Sequence, residues 1–348
     1  MNTTNGPYPN FVFYNILIGL VLALIIGWVT ILVTRRVGPM DMPGALPHKK
    51  HTTPTPLAGG LVLVLALLVG GLVFNFSMLR EQWNILLPAV IVFAVGLWDD
   101  FKRLPAWIKL VGQIIAGILL ITLGTSVQIV PHGLLGLPGN SSRLLDWFIT
   151  LFWVVGITNA FNLIDSMDGL VLGTSGLGLG FLILVTLSSP QVALLRLLTL
   201  LLGICAGIYF YNHTPARLFL GDSGAQTIGF LLAALAIQFT PGTHPIGSSW
   251  FIPILIFGVP IFDTTLVTIS RLRHRTKFYT AGLDHTYHRL VNMGFGSSRA
   301  VFVMHLATIV LGCIAFIALQ LAPLYASIIF GSICVFGLAL VLWMDRKK

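Results

Sequence analysis

Charge is scarce in this chain: only 9% of its 348 residues are Asp, Glu, Lys or Arg, while 56% are hydrophobic. Soluble domains carry roughly a quarter charged residues, so a single water-facing globule is excluded. Cysteine is nearly absent. Cys205, Cys313 and Cys334 lie inside apolar runs without metal-ligand spacing, which argues against a disulfide framework and leaves three small core residues. Basic residues are missing from Met1 to Asn10, and the first apolar run is too long for the core of a leader, so no cleavable signal is expected. An internal repeat is not evident either, which weakens an inverted-repeat transporter.

What the chain has is long apolar runs. They read as Phe11–Thr34, Leu57–Phe76, Asn84–Trp98, Trp107–Gly124, Leu144–Phe161, Gly169–Ser188, Gln191–Tyr211, Leu220–Thr240, Ser249–Ser270, Ala300–Leu321 and Tyr325–Trp343. A helix of about 20 apolar residues crosses a bilayer. The expectation is an all-α polytopic membrane protein of one domain, 1–348, with 11 transmembrane helices. A count of ten is the alternative, because Asn84–Trp98 is short and the eighth and ninth runs carry Gly, Pro and Asp. The loop Thr125–Arg143 reads as a small hairpin or re-entrant cap.

Lys and Arg set the orientation. With the N-terminus outside and the C-terminus cytoplasmic, all of the 20 basic residues except Arg80, Arg143 and Arg196 fall on the inner side. The net charge of +9 is then mostly topology, with attraction for anionic lipid and anionic substrates at the inner face. A nucleic-acid partner is not expected. Asp99, Asp100, Asp165, Asp168, Asp222 and Asp284 map to that same side near helix ends, while the outer loops carry only Glu81 and Asp146. A cytoplasmic-face site rich in carboxylates and bases is the economical inference.

Five islands supply its candidates. Asn159-Ala-Phe-Asn-Leu-Ile-Asp-Ser-Met-Asp-Gly-Leu170 holds two asparagines and two aspartates; if helical, Asn162, Asp165 and Asp168 share one face, suited to a hard cation or sugar hydroxyls. A capped polar loop is the plain alternative. Lys50 and His51 offer anion contacts ahead of Gly59-Gly60, a pair that permits close backbone approach. Asp99-Asp100 closes the third run. Two adjacent carboxylates repel and call for a cation or for basic neighbours such as Lys102 and Arg103. Lys109 lies close enough to the inner edge to reach a phosphate. Asp222, in Phe219-Leu-Gly-Asp-Ser-Gly224, suits either an N-cap or a metal-phosphate contact. His285, His288 and Arg289 suit a phosphate or a uracil edge. Zinc is disfavoured there, with no nearby cysteine and no HExxH pattern. Asp263, inside the ninth run, reads as a structural hydrogen-bonding group.

Together, in their order along the chain, the islands resemble the polyprenyl-phosphate N-acetylhexosamine-1-phosphate transferase family. Three positions depart from its usual pattern. Ser166 stands for a glycine, Tyr287 for a histidine, and Leu57 for an arginine. The form His285-Thr-Tyr-His288-Arg289-Leu is more similar to the GlcNAc-1-phosphate branch than to the phospho-MurNAc-pentapeptide translocases. The resemblance implies transfer of a HexNAc-1-phosphate from a UDP-sugar to undecaprenyl phosphate, with release of UMP, in the bacterial cytoplasmic (inner) membrane. It implies Mg2+, with Mn2+ as the alternative, at Asp222 and Asn162. It implies phosphate contacts from Lys109, His288 and Arg289, and a nucleotide-sugar pocket lined by Asp165 and Asp168, with Asn159, His285, Lys50 and His51 among the substrate contacts. Asp99 is the implied base or lipid-phosphate positioner, supported by Asp100. A covalent aspartyl-phosphate route is the competing mechanism. A proton-coupled transporter is the rival class, disfavoured because these charges cluster at one face. A homodimer is compatible with the sequence.

Overall fold

The computed structural model describes residues 8–42, 54–129, 139–239, 246–275, 282 and 284–346. Lys50 and His51 lie outside the described residues, as do 130–138 of the loop expected to form a hairpin. Along the chain run α1 (Tyr8–Val37), β1 (Met40–Asp41), β2 (Thr55–Pro56), α2 (Gly59–Phe74), α3 (Phe76–Glu81), α4 (Trp83–Lys102), α5 (Ala106–Thr122), α6 (Gly139–Leu163), α7 (Leu170–Thr186) and α8 (Val192–Asn212). There follow α9 (Gly221–Gln238), α10 (Ile246–Ser249), α11 (Ile252–Ile256), α12 (Gly258–Arg273), α13 (Thr286–Asn292), α14 (Ser297–Leu319) and α15 (Pro323–Arg346). The chain is an all-α polytopic membrane protein.

Each apolar run is helical, but the runs are not equivalent. Among the described residues, six helices are long and apolar enough to cross a bilayer: α1, α4, α6, α8, α14 and α15. A seventh is reached if the pair of helical stretches Gly247–Ile256 and Gly258–Arg273, bent by 70° at their break, counts as one span. The helices α2, α5 and α7 are apolar but shorter, at 16 to 17 residues. The apolar runs are thus unequal in length: six full-length helices stand beside several short or broken ones among the described residues. Phe257 and the Gly258-Val-Pro260 run sit at the break, where a proline removes a helical N–H.

The hub is α9, of whose 18 residues all but Asp222, Ile237 and Gln238 are buried. Small residues make this crowding feasible, since Gly, Ala, Ser and Thr let helix backbones approach closely in a bilayer. A Cβ on Gly96 of α4 would stand 2.7 Å from Ser223 Cα, and one on Gly60 of α2 would run into Gly224 N. Gly203 on α8 meets the Ile16 carbonyl of α1 in the same way. At the other extreme, α15 presents Ile328, Val335, Phe336 and Leu338 outward, and α1 presents Phe13, Ile25 and Trp28. Such a surface is suited to hydrocarbon as its solvent.

The short strands serve α9 too. β1 pairs antiparallel with β2, Met40 opposite Pro56 and Asp41 opposite Thr55. Beyond it Leu57 bridges Phe219, and the N–H groups of Gly59 and Gly60 donate to the carbonyls of Phe219 (2.9 Å) and Leu220 (3.0 Å). The unpaired donors at the start of α2 are thereby satisfied by the segment that leads into α9.

Candidate active site

The site is built around the first turn of α9. Gly221 adopts φ +72, and a Cβ there would stand 2.8 Å from Asp100 Oδ2. Only glycine fits that contact and that backbone comfortably. Asp100 uses the opening: its Oδ1 accepts the Asp222 N–H (2.7 Å), and its Oδ2 accepts the Ser223 N–H (3.2 Å) and the Ser223 hydroxyl (2.5 Å). The cap of α9 is thus a carboxylate from α4, not Asp222, which stands in the first turn. A negative charge there also faces the positive end of the helix dipole.

Asp99, one residue earlier, points elsewhere. Its Oδ1 accepts the Leu104 N–H (2.5 Å) just past the end of α4, where Arg103 takes a left-handed conformation. Its Oδ2 meets the Lys109 ammonium at 3.2 Å, and the same ammonium meets Asp222 Oδ2 at 2.5 Å. Pro105 starts α5 directly after the turn, so Lys109 arrives in its first turn, above the ends of α4 and α9. The adjacent aspartates therefore divide their tasks. One caps a helix, and the other shares a cation with Asp222.

Behind this triad runs a chain of amides that sequence reading missed. Gln226 Nε2 donates to Asp222 Oδ2 (3.1 Å), Gln113 Nε2 donates to Gln226 Oε1 (3.0 Å), and Asn159 Nδ2 donates to Gln113 Oε1 (2.6 Å). Each glutamine lies four residues after a charged site residue, Gln113 after Lys109 and Gln226 after Asp222. A polar side chain one turn along an apolar helix was the signal available. Asn159, expected to touch substrate, sits at the inner end of this network.

The acidic stretch is not one helical face. α6 ends at Leu163, residues 164–169 turn, and α7 starts at Leu170, so Asn162 stands on a helix while Asp165 and Asp168 stand on a turn. Gly169 (φ +75) and its neighbours break the period of 3.6 that the shared face required. Asp168 Oδ2 accepts the Ala216 N–H (3.1 Å), and Gly169 N–H donates to Asn212 Oδ1 (3.0 Å), which ties the turn to the end of α8 and to the loop leading into α9. From the other side His305 of α14 reaches the Leu170 carbonyl (3.2 Å). Burial and repulsion from the carboxylates of Asp222, Asp100 and Asp168 push Asp165 up to about 8. This is a gathering of hard oxygen donors with too little positive charge among them, the chemistry that suits a hard divalent cation. Among the described residues no three His, Cys, Asp or Glu side chains converge on one point.

The last island splits in two. Asp263, fully buried on α12, accepts from His285 Nδ1 (2.8 Å) and the Thr286 N–H (2.6 Å), and so holds the start of α13. Arg289 is buried as well. Its guanidinium donates to the carbonyls of Asp284 (3.0 Å) and Met344 (2.6 Å) and to Ser270 Oγ (2.9 Å), which places it in the scaffold joining α12, α13 and α15 instead of at a phosphate. His288 is engaged by its neighbour, the Tyr287 hydroxyl, which lies 2.7 Å from His288 Nε2.

Residues 82–240, the stretch holding α4 to α9, match the sequence profile of glycosyl transferase family 4. The chain is similar to a probable undecaprenyl-phosphate N-acetylglucosaminyl 1-phosphate transferase of Bacillus subtilis, 31% identical over 90% of this chain and 88% of that one. It is also similar to a decaprenyl-phosphate N-acetylglucosaminephosphotransferase of Mycobacterium leprae, 29% identical over 95% of this chain and 91% of that one. A phospho-N-acetylmuramoyl-pentapeptide-transferase of Lactiplantibacillus plantarum is 33% identical, over 55% of this chain and 63% of its own.

Proposed function

Because the chain belongs to glycosyl transferase family 4, the polyprenyl-phosphate N-acetylhexosamine-1-phosphate transferases, we propose that it moves GlcNAc-1-phosphate from UDP-GlcNAc to undecaprenyl phosphate. A lipid-phosphate oxygen bonds to the sugar-bearing β-phosphorus, the bond from that phosphorus to the bridging oxygen breaks, and the oxygen leaves with UMP. The reaction starts a cell-envelope glycan at the cytoplasmic face of the bacterial inner membrane, with the N-terminus outside.

The observation that carries this reading is the triad Asp99–Lys109–Asp222, three helix ends joined by one ammonium. An incoming diphosphate brings oxygens that compete for Lys109. Drawn toward them, the ammonium neutralises charge on the donor and releases Asp99 to position the lipid phosphate. Strong base catalysis is not needed, because a phosphate monoester with a second pKa near 6 is largely dianionic at neutral pH. Asp100 and Gln226 keep Asp222 in place while this exchange occurs. Positioning and electrostatics are then the main catalytic contributions. Asp222 and Asn162 are the residues that would hold Mg2+ or Mn2+, with Asp165 and Asp168 lining the donor side. That ion would neutralise the diphosphate.

The test is a transfer assay on detergent-purified protein with Mg2+, undecaprenyl phosphate and radiolabelled UDP-GlcNAc. Label moving into butanol, and lost with EDTA, supports the reading. Transfer only from another UDP-HexNAc would keep the chemistry and change the donor. No transfer from any UDP-sugar by folded protein would overturn it in favour of a transporter.

A further inference from the structure

Among the described residues, His305 is the histidine that falls inside a helix long and apolar enough to cross a bilayer. It stands in the run Val301-Phe-Val-Met-His-Leu-Ala-Thr-Ile-Val310 of α14, about 12 Å along the axis from the start of the helix. A polar side chain there is costly and calls for a partner. Its partner is the carbonyl of Leu170, the first residue of α7, 3.2 Å from Nε2. A carbonyl oxygen can only accept, so Nε2 carries the hydrogen and the ring donates. The ring lies over Gly173, where an added Cβ would run into it. Gly173 has no positive φ, so its backbone does not ask for glycine, and glycine inside a helix is less stable than alanine. The imidazole accounts for it. Two turns along, the relation is reversed: a Cβ on Gly312 of α14 would run into the Phe181 ring of α7. These two notches set the axial register of α7 on α14, and His305 adds a directional bond to them.

That bond falls at the end of the acidic turn. Asp165 and Asp168 stand on residues 164–169, and Leu170 is where the turn passes into α7. A shift of α7 along α14 would carry both carboxylates with it. We propose that His305 is a positioning residue for the donor nucleotide-sugar: from the seat that Gly173 leaves open, its Nε2–H holds the Leu170 carbonyl and so fixes where the turn presents Asp165 and Asp168. This role rests on the transferase reading, in which those two carboxylates line the donor side. His305 acts through the Leu170 backbone. The acceptor phosphate is assigned to Asp99, which α4, α5 and α9 hold through Lys109 and Asp222. Donor affinity, and not acceptor affinity, therefore answers to His305.

The experiment is steady-state transfer by the full-length chain carrying His305→Leu, His305→Gln, Gly173→Ala or Phe181→Leu, with each substrate varied in turn. His305→Leu fills the space without the donor and is expected to raise the donor KM about five-fold, the equivalent of one neutral hydrogen bond, with the lipid KM unchanged. Gly173→Ala, which drives the ring off its seat, is expected to do the same. His305→Gln places an amide N–H where Nε2 stood and is expected to bring the donor KM back. Phe181→Leu loosens the same pair of helices away from Leu170, and is expected to lower the melting temperature while leaving the donor KM alone. An unchanged donor KM in His305→Leu, equal shifts in both KM values, or a rise in Phe181→Leu as large as in His305→Leu would overturn the role. If His305→Leu does not fold in detergent, His305→Asn, whose amide is too short to reach Leu170, takes its place beside His305→Gln. An unmodified chain that transfers nothing would sink the transferase reading and this role with it. An active one whose variants keep their donor KM would sink only the role of His305.

Discussion

The carboxylate of Asp100 on α4 accepts the backbone N–H of Asp222 on α9 at 2.7 Å, so one site aspartate is held in place by another through the main chain. With Ser223 also bound to it, Asp100 closes the start of a buried helix. Asp100→Ala would leave those donors unsatisfied and should cost about 1–3 kcal/mol, the usual penalty for stranding buried polar groups. Thermal unfolding in detergent with and without the substitution measures this. A drop in turnover with no drop in stability would show instead that Asp100 touches the reacting groups.

Lys109 offers the opposite contrast. It bridges Asp99 and Asp222, and Lys109→Met would leave two carboxylates facing each other with nothing between them. Turnover should fall on the order of 100-fold or more, the scale of losing a key electrostatic group. Asp99→Asn and Asp222→Asn should fall similarly. Lys109→Arg should not restore activity, because the planar guanidinium cannot place a point charge between the two oxygens. Near-normal turnover for Lys109→Met would remove the triad from the chemistry.

Much of this was legible in the residues. The apolar runs mark every long helix, and the clustering of Asp99, Asp100, Asp165, Asp168 and Asp222 at helix ends points to the candidate site. What periodicity could not show is where a helix stops. The shared face of Asn162, Asp165 and Asp168 dissolves because Gly169 turns the chain before α7 begins. Nor could sequence separate Asp99 from Asp100, since their roles follow from which neighbouring helix each one faces. Arg289 was read as an anion binder because its neighbours are imidazoles, yet its partners Met344 and Ser270 come from α15 and α12. Long-range partners of this kind leave no local trace.

The carboxylate cluster makes a statement about pH. Asp165 is pushed up to about 8 by burial and by Asp222, Asp100 and Asp168, well above its value in an unfolded chain, near 4. Between these two values the folded state holds a proton that the unfolded state has released. Stability should therefore fall as pH rises from about 4 towards 8. Melting curves in EDTA at pH 5, 6, 7 and 8 should show that decline, and Asp165→Asn should flatten it. A divalent cation bound among the carboxylates should flatten it too, by favouring the ionised form. A decline of equal slope in Asp165→Asn would assign it to other groups.

Helix approach supplies the last prediction. Gly96 lets α4 lie directly on α9, where an added Cβ would meet Ser223 Cα at 2.7 Å and the Asp222 carbonyl oxygen at 2.8 Å. Those atoms are backbone and cannot swing aside, so Gly96→Ala must separate the helices. The separation moves Asp99 and Asp100 away from Lys109 and from the start of α9. Overpacking of this kind costs about 1–3 kcal/mol, and the loss of alignment should lower turnover further than the loss of stability alone. Gly156 and Gly180 sit within helices with nothing inside 4 Å of an added Cβ, so Gly156→Ala and Gly180→Ala should leave both melting temperature and turnover nearly unchanged. Measuring the three variants side by side separates the close crossing from a general effect of adding a methyl group. If Gly96→Ala behaved like the other two, α4 and α9 would have to be farther apart than a shared capping carboxylate allows.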